Sequence, residues 1–458
     1  MNMQSLPRSA SRGILKSLST IPSTSRAAFV CASCRSLQYQ QPRIPSERQR
    51  RSFASCSPLR KTQSDLSSAP PPPPPSGHAR LTTRRLISIS GTGAPHFLQG
   101  LITTSIESNK TATLNGTIQA AQRTHWFYCG FLNALGRVLH DVFIYPVPSG
   151  SGGEPHFVIE VDASQHTTLL QHLKRFKLRS KIVLRAIEDD EMSVWQVWND
   201  DAQAPLTGEA QNLPQNDGRS VVIPDLRAPG MGYRVLTVGP SLNVQDLDLP
   251  LDLQLADNEK TDEATYRVRR YLRGVPEGSA EIVPEQALPS ESNMDVMGGI
   301  DFRKGCYVGQ ELTIRTRHRG VVRKRILPCV LYGEDEAVPT ELKYEPDTAS
   351  PLAGNGNDMH GLTIGRHGRK GRSTGTFLAG VGNIGLALCR VQLMTDLVVP
   401  NDTATLEFDP AAEFVIMPGK DKEQATAGAD ENKILKVKAF VPDWLRQRLN
   451  EDVVKHTQ

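Results

Sequence analysis

Apolar and polar residues alternate with a period of two in short stretches along most of this chain, and follow a helical period in only a few places. Leu86-Ile87-Ser88-Ile89-Ser90 reads as a strand. The glycine-rich turn after it leads into a short helix over 95–101, with Pro95 in its first turn. Residues 124–131 and 137–147 are β-prone on either side of Asn133-Ala134-Leu135-Gly136, which predicts a hairpin. Residues 156–162 form the next expected strand. Ser164 is placed to cap a helix whose Leu169, Leu170, Leu173 and Phe176 share one face. Strands follow at 181–187, 192–198, 220–223 and 233–238, and residues 240–257 connect onward.

The sharpest helical signal is 263–273. Ala264, Val268, Tyr271 and Leu272 recur at helical spacing, with Asp262 and Glu263 at the positive end and Arg269, Arg270 and Arg273 at the negative end. Gly274 and Pro276 stop it. From residue 323 the pattern is all-β, with strands expected at 323–332, 377–381, 386–394, 403–408 and 434–440. Short strands with glycine-rich turns suggest a barrel. Two low-complexity stretches, near 350–373 and 418–432, interrupt it as expected disordered insertions.

Composition changes the picture at the N-terminus. The 458 residues have room for about three domains. Of the formal net charge of +4, residues 1–61 carry +10 (eleven Lys/Arg against Glu47), which leaves −6 for the rest. An Arg- and Ser-rich, acid-poor start is the composition of a mitochondrial targeting sequence, here residues 1–55, with Arg51-Ser52-Phe53-Ala54-Ser55 resembling a processing site. Residues 56–79 hold an unbroken run from Pro70 to Pro75 and read as a disordered, polyproline II spacer. No stretch approaches a membrane span. A soluble matrix protein with no membrane partner is therefore expected. The mildly acidic body also gives no electrostatic footprint for nucleic acid.

Candidate chemistry concentrates in Lys304-Gly305-Cys306-Tyr307-Val308-Gly309-Gln310-Glu311. Glycines beside a cysteine allow a tight turn and close approach of a ligand. An adjacent ammonium, Lys304, could favour a thiolate at Cys306. A buried, inert cysteine in a tight turn is the plain alternative. Just after it, Arg315, Arg317, Arg319, Arg323, Lys324 and Arg325, with His318, make a basic cluster, either a solvated face or an anion site. Cys129, Cys306, Cys329 and Cys389 are scattered. Cys31 and Cys34 fall in the presequence, so no self-contained zinc or iron–sulfur site is expected. There is no P-loop, no dinucleotide fingerprint and no G-x-S-x-G elbow.

These residues resemble a known family. The octapeptide Lys304–Glu311 is similar to the signature of the YgfZ-type branch of the aminomethyltransferase (glycine-cleavage T-protein, GcvT) superfamily. Phe97 to Leu101, Asn133 through Gly136-Arg137-Val138 to Asp141, and Asp225-Leu226-Arg227 with Gly232-Tyr233-Arg234 match in order. So do Arg273 to Gly278, Glu285 to Asp295, His318 to Val321 and Gly385 to Arg390. The resemblance implies an α+β, T-protein-like folate-binding fold: two α+β subdomains and a C-terminal β-barrel. It places the first subdomain at 80–154 and 255–322, a ferredoxin-like second at 155–254 and the barrel at 323–458.

The resemblance also implies a mitochondrial matrix factor for late [4Fe–4S] cluster assembly. Such a factor works with A-type scaffold proteins, and its clients are aconitase-type enzymes and lipoate and biotin synthases. Cys306 is then the candidate functional thiol and transient cluster ligand, with Lys304, Tyr307, Gln310 and Glu311 around it. Asn133, Asp141, Arg227, Gly305 and Gly309 are the candidate tetrahydrofolate cleft. No region matches the catalytic aspartate stretch of true aminomethyltransferases, Asp141 alone being too little. A folate-dependent one-carbon transferase is therefore the alternative, and no catalytic residue is assigned.

Overall fold

One five-stranded sheet, buried on both faces along four of its strands and exposed at the edge strand Val183–Ile187, organises the molecule. Its strands are β2 (Arg84–Ser90), β5 (Phe127–Leu132), β6 (Val138–Val147), β7 (His156–Asp162) and β8 (Val183–Ile187), in the order β5-β6-β7-β2-β8. Because successive side chains point to opposite faces, each strand feeds two cores. Val142 and Ile144 of β6, with Ile87, Ile159 and Val161, pack under α1 (Ala94–Gln99) and α2 (His166–Lys177). Phe143 and Tyr145 face the other way, onto Val194, Trp198, Leu236 and Tyr266.

A second sheet supplies that opposite wall. It contains β1 (Ser76–Arg80), β9 (Met192–Asn199), β10 (Ser220–Pro224), β11 (Tyr233–Val238) and β12 (Glu259–Lys260), in the order β10-β11-β9-β1-β12. β3 (Glu107–Leu114) and β4 (Thr117–Gln122) form a separate ribbon. α3 (Glu263–Arg273) follows β12, capped by Asp262, which accepts the Thr265 N–H at 2.7 Å. Gly274 ends it with φ +66°, and a β-carbon there would fall 2.9 Å from Pro328 and 3.2 Å from Pro442, so a side chain is excluded twice over.

α4 (Gln310–Arg319) leads into a closed barrel of β13 (Lys324–Gly333), β14 (Thr363–Arg366), β15 (Gly375–Val381), β16 (Ile384–Arg390), β17 (Phe414–Ile416) and β18 (Leu435–Ala439). α5 (Val391–Met394) follows β16. α6 (Asp443–Thr457) ties the barrel back. Trp444 Nε1 donates to the Arg273 carbonyl at 2.9 Å, and Arg448 Nη1 to the carbonyls of Arg227 and Val296, both at 2.8 Å. This computed structural model describes residues 69–114, 117–122, 125–147, 153–201, 220–239, 259–346, 359–369, 372–399, 408–417 and 434–457, all within the unit Gln63–Gln458.

The α+β class, the central hairpin and the barrel follow the sequence reading, but the strand pairing redraws its boundaries. The segment 155–254 is not one ferredoxin-like body. β7, α2 and β8 pair with or pack on β2, while β9, β10 and β11 extend from β1. β2 offers two edges, and β7 and β8, on either side of α2, fill both. The second sheet is the discontinuous one, since the chain returns at β12 to pair in parallel with β1.

The spacer is also shorter than expected. Residues 76–80 form β1, the Pro74 carbonyl accepts from Trp198 Nε1 (2.9 Å), and the Pro70 carbonyl accepts from Tyr344 Oη (2.6 Å). Prolines leave their carbonyls free to accept. β14 lies inside the expected insertion 350–373 and completes the barrel between β15 and β17. The presequence, residues 56–68, the strand at 403–407 and the stretch 418–432 lie outside the described residues. The cap of the helix at 166–177 is preceded by a turn in which Asp162, not Ser164, accepts, taking the Ser164 N–H at 2.8 Å.

Candidate functional site

The octapeptide is a turn that docks on the β5–β6 hairpin and then starts α4. Gly309 is the pivot. It has φ +80°, and a β-carbon there would fall 2.3 Å from the Asn133 carbonyl and 2.9 Å from Leu132 Cβ. Only glycine satisfies both the backbone angle and the space. Asn133 holds its own turn by accepting the N–H groups of Leu135 and Arg137 on Oδ1, both at 3.0 Å. Gln310 Oε1 accepts the Tyr307 N–H at 3.2 Å, and the Val308 N–H donates to the Gly100 carbonyl at 3.1 Å. Tyr307 is buried, whereas Gly305 and Cys306 are exposed and Glu311 is exposed in the first turn of α4.

Lys304 does not serve Cys306 as expected. Its Nζ donates to the carbonyls of Gln99 (2.8 Å), Ile102 (2.6 Å) and Thr104 (3.3 Å), and lies 4.8 Å from the centre of the Tyr307 ring. An ammonium has three protons, and all three are placed. Burial brings its pKa down to about 8, against the opposing pull of Cys129, Asp301 and Glu107. Lys304 is a clip between the octapeptide and the turn after α1.

The four described cysteines separate cleanly. Cys129, Cys329 and Cys389 are buried. Burial pushes the Cys329 thiol up to about 12 and the Cys389 thiol well above its usual value, which leaves both inert. Cys306 alone among them is exposed. No group of three or more His, Cys, Asp or Glu among the described residues is arranged to hold a metal.

The basic cluster is not one face. Arg325 is buried, ion-paired to Asp295 at 2.9 Å and donating to the Ser290 carbonyl at 2.9 Å, because β13 carries it inward beneath the 290–295 turn. Arg317 stacks over Phe302 at 4.6 Å. Arg315, His318 and Arg323 are exposed, and the side chain of Arg319 lies outside the described residues.

The candidate folate residues fall into two groups. Asn133, Gly305 and Gly309 belong to the octapeptide and its dock. Asp141 and Arg227 lie in a charged layer between the two sheets. Arg227 is sandwiched over the rings of Phe143 (4.8 Å) and Tyr128 (5.6 Å) and ion-paired to Asp225 and Glu277, each at 2.7 Å. Arg234 pairs with Glu277 at 2.6 Å, Arg84 with Glu160 at 2.8 Å and Arg270 with Glu281 at 2.7 Å. Asp141 accepts the Gly278 N–H on Oδ1 at 3.1 Å, and burial raises its pKa. Burial acts to raise Glu277 too, but Arg234, Arg227, Arg84 and Arg270 outweigh it and hold that carboxyl well below its usual range. Sequence reasoning missed Glu160, Glu277 and Arg84 as members. Glu277 sits in a quoted segment, but a carboxylate in a loop carries no local mark of four arginine partners.

Beside this layer opens a cavity of about 220 Å³ lined by Arg84, Tyr266, Arg267, Arg270, Glu277 and Ala379 among others. Tyr128 Oη, Asp141 Oδ2 and both Arg84 Nη atoms are buried without hydrogen-bond partners. A pterin presents an edge of N–H donors that matches a carboxylate, and its glutamyl tail matches arginines. Of Tyr128, Asp141 and Arg84, Arg84 lines the cavity while Asp141 and Tyr128 do not, and the volume, below the roughly 300–1,000 Å³ of drug-sized sites, has room for a ring-sized group only.

No family model matches the chain. Among curated proteins it is similar to a Pyricularia oryzae protein named "Iron-sulfur cluster assembly factor IBA57 homolog, mitochondrial". The two are 49% identical over 381 residues, which is 83% of this chain and 87% of the relative. A Neurospora crassa protein of the same name is 43% identical over 435 residues, covering 92% and 89%. Among solved structures, the glycine cleavage system aminomethyltransferase T of Bartonella henselae superposes with a TM-score of 0.50 at 13% identity, over 82% of this chain and 87% of that one. That likeness concerns the fold alone.

Proposed function

Because the chain belongs to the IBA57 family of mitochondrial iron–sulfur cluster assembly factors, we propose that it acts in the matrix at the late, [4Fe–4S]-forming stage, with Cys306 as one ligand of a cluster shared with a partner. The observation that carries this reading is the contrast among the described cysteines: three buried, one exposed on a turn fixed at both ends by Lys304 and Gly309. A protein of this family works with the iron–sulfur assembly machinery. The finer reading is an A-type scaffold as partner, with aconitase-type enzymes and lipoate and biotin synthases as clients.

The cluster is cargo. A single thiolate cannot hold it, so the partner supplies the remaining ligands. The clip and the pivot fix where the Cys306 sulfur stands when the partner arrives, which lowers the ordering cost of forming a shared site. Exposed Arg303 and Arg315 flank the turn and suit the negative charge of a thiolate-bound cluster.

A reduced folate is the proposed cofactor of the buried layer. Glu277 would accept from the pterin edge, and Arg84, whose two Nη atoms lack hydrogen-bond partners, would meet its carboxylates. When bound, such a cofactor carries one-carbon units and reducing hydrogens. Asn133, Gly305 and Gly309 are left out of that site. The one-carbon transferase alternative is not favoured, since the curated relatives are named as assembly factors.

Depletion in cells, followed by assay of aconitase against a [2Fe–2S] enzyme, tests the stage. Aconitase should fall while the [2Fe–2S] enzyme holds, and Cys306→Ser should fail to restore it. Equal loss of both enzymes, or of neither, would overturn the late-stage reading.

A further inference from the structure

From Ala163 to Ile187 the chain contains no carboxylate. Within it, the end of α2 and the turn into β8 carry Lys174, Arg175, Lys177, Arg179 and Lys181. None of these five makes a side-chain hydrogen bond or ion pair among the described residues. Arg185, further along, is held by Glu191 at 2.6 Å. Cations at a helix C-terminus favour the dipole, but that accounts for the last turn only.

Three large apolar side chains stand among those cations. Leu178 is 88% exposed, Val183 63% and Phe176 38%. Leu178 is also strained, with φ +41° and ψ −112° at the helix C-cap, where glycine would be at ease. A strained leucine in water gains nothing from folding, neither buried area nor a favourable backbone angle. The turn that presents it is nonetheless rigid. Ile182 is buried beneath it, Ser180 N–H donates to the Lys177 carbonyl at 2.7 Å, and Gly93 N–H donates to the Lys181 carbonyl at 3.2 Å.

We propose that this corner, apolar tips ringed by unpaired cations, is a peripheral docking surface for an anionic phospholipid bilayer. Leu178, Val183 and Phe176 enter the headgroup region while the lysines and arginines meet lipid phosphates. The expectation of no membrane partner rested on the lack of a spanning stretch, and no described helix is long and apolar enough to span. A surface contact needs no span. A nucleic acid would be met by one aromatic side chain, too little for a stacking platform. β8 and β5 are opposite edges of one sheet, so four strand spacings, roughly 19 Å, separate this corner from the strand that docks the octapeptide. A membrane-bound molecule would keep Cys306 free for its partner.

Flotation of the full chain with phosphatidylcholine vesicles, with and without phosphatidylglycerol, tests the proposal. Binding is expected only with the anionic lipid and is expected to weaken as salt rises. Lys174→Glu with Lys177→Glu and Arg179→Glu should lower partitioning at least tenfold, while Arg369→Glu, an exposed cation of the barrel, should not. Leu178→Gly separates a binding role from a structural one: Tm should hold or rise as the strain is relieved, and vesicle binding should fall several-fold. A tryptophan at the same site, Leu178→Trp, should shift its emission to the blue on anionic vesicles. Equal binding to both lipids, no binding to either, an Arg369→Glu loss as large as the triple variant's, a lower Tm for Leu178→Gly, an unshifted emission, or binding to polyglutamate but not to vesicles would each overturn it.

Discussion

Lys304 Nζ donates to the Ile102 carbonyl at 2.6 Å, across 202 residues of sequence. This single contact joins the octapeptide to the turn that follows α1, and two more carbonyls complete it. Lys304→Met removes all three bonds and should cost about 1–3 kcal/mol by urea denaturation, with faster amide exchange at residues 304–308. Lys304→Arg should not rescue, because a planar fork cannot reach three converging carbonyls.

The same lysine sets a pH dependence. Its folded pKa is lowered to about 8 from an ordinary value near 10.5, with burial as the main cause. Between those values the unfolded chain binds the proton and the folded chain has released it, so folding is favoured as pH rises. The wild type should gain stability relative to Lys304→Met from about pH 8 upward. Chemical denaturation at pH 7 and pH 9.5 reads this difference, and a gap that widens toward pH 7 in the wild type's favour would contradict it.

Gly309→Ala tests the pivot. The added β-carbon meets the Asn133 carbonyl at 2.3 Å with φ held at +80°. A cost of at least about 1–3 kcal/mol is expected, along with displacement of Cys306. Gly305→Ala is the control, since a β-carbon there meets nothing within 4 Å. Equal stability of the two variants by thermal denaturation would refute the pivot.

Cys306→Ser should leave stability within about 0.5 kcal/mol of wild type, as for exposed positions elsewhere. Its effect should appear only in cluster maturation. Brief alkylation of the native protein followed by peptide mapping should label Cys306 and spare Cys129, Cys329 and Cys389. Labelling of Cys329 at a similar rate would mean that the barrel opens readily.

How far the sequence was legible depended on whether the signal was local. α3 announced itself through Asp262, its apolar spacing and Gly274, all within thirteen residues. α4 did not, because Gln310–Arg319 has only Leu312 and Ile314 among polar residues, at no helical spacing, and gains its place from the Gly309 pivot and the stacking of Arg317 on Phe302. β1 was hidden under a proline run whose carbonyls are held by Trp198 and Tyr344, residues 124 and 274 positions away. The octapeptide stood out in the sequence, but its geometry did not. Lys304 sits two residues from Cys306 in sequence, yet its charge is held by carbonyls near residue 102. The five candidate cleft residues separate into two places, Asp141 and Arg227 in the charged layer and Asn133, Gly305 and Gly309 at the octapeptide turn, since nothing local says which side of a hairpin faces a cleft.

The buried layer gives the last prediction. Arg84, Arg227, Arg234 and Arg270 face Asp141, Glu160, Asp225, Glu277 and Glu281, four cations against five carboxyls. Burial makes each of these charges costly, so each carboxyl depends on the arginines around it. Asp141 is the one whose burial raises its pKa, and its Oδ2 has no hydrogen-bond partner. Asp141→Asn, near-isosteric and at a carboxyl whose Arg84 pair is long at 3.7 Å, should therefore cost less than the loss of the Glu277 charge. Glu277→Gln strips the charge that faces four arginines and should cost roughly 3–5 kcal/mol. Because Glu277 is held far below its ordinary value, its contribution is complete above about pH 4.5 and is lost as pH falls toward the folded value. The wild type should lose stability steeply in that acid range, and Glu277→Gln should not. Parallel acid titrations of the two proteins, followed by near-ultraviolet circular dichroism, would decide it.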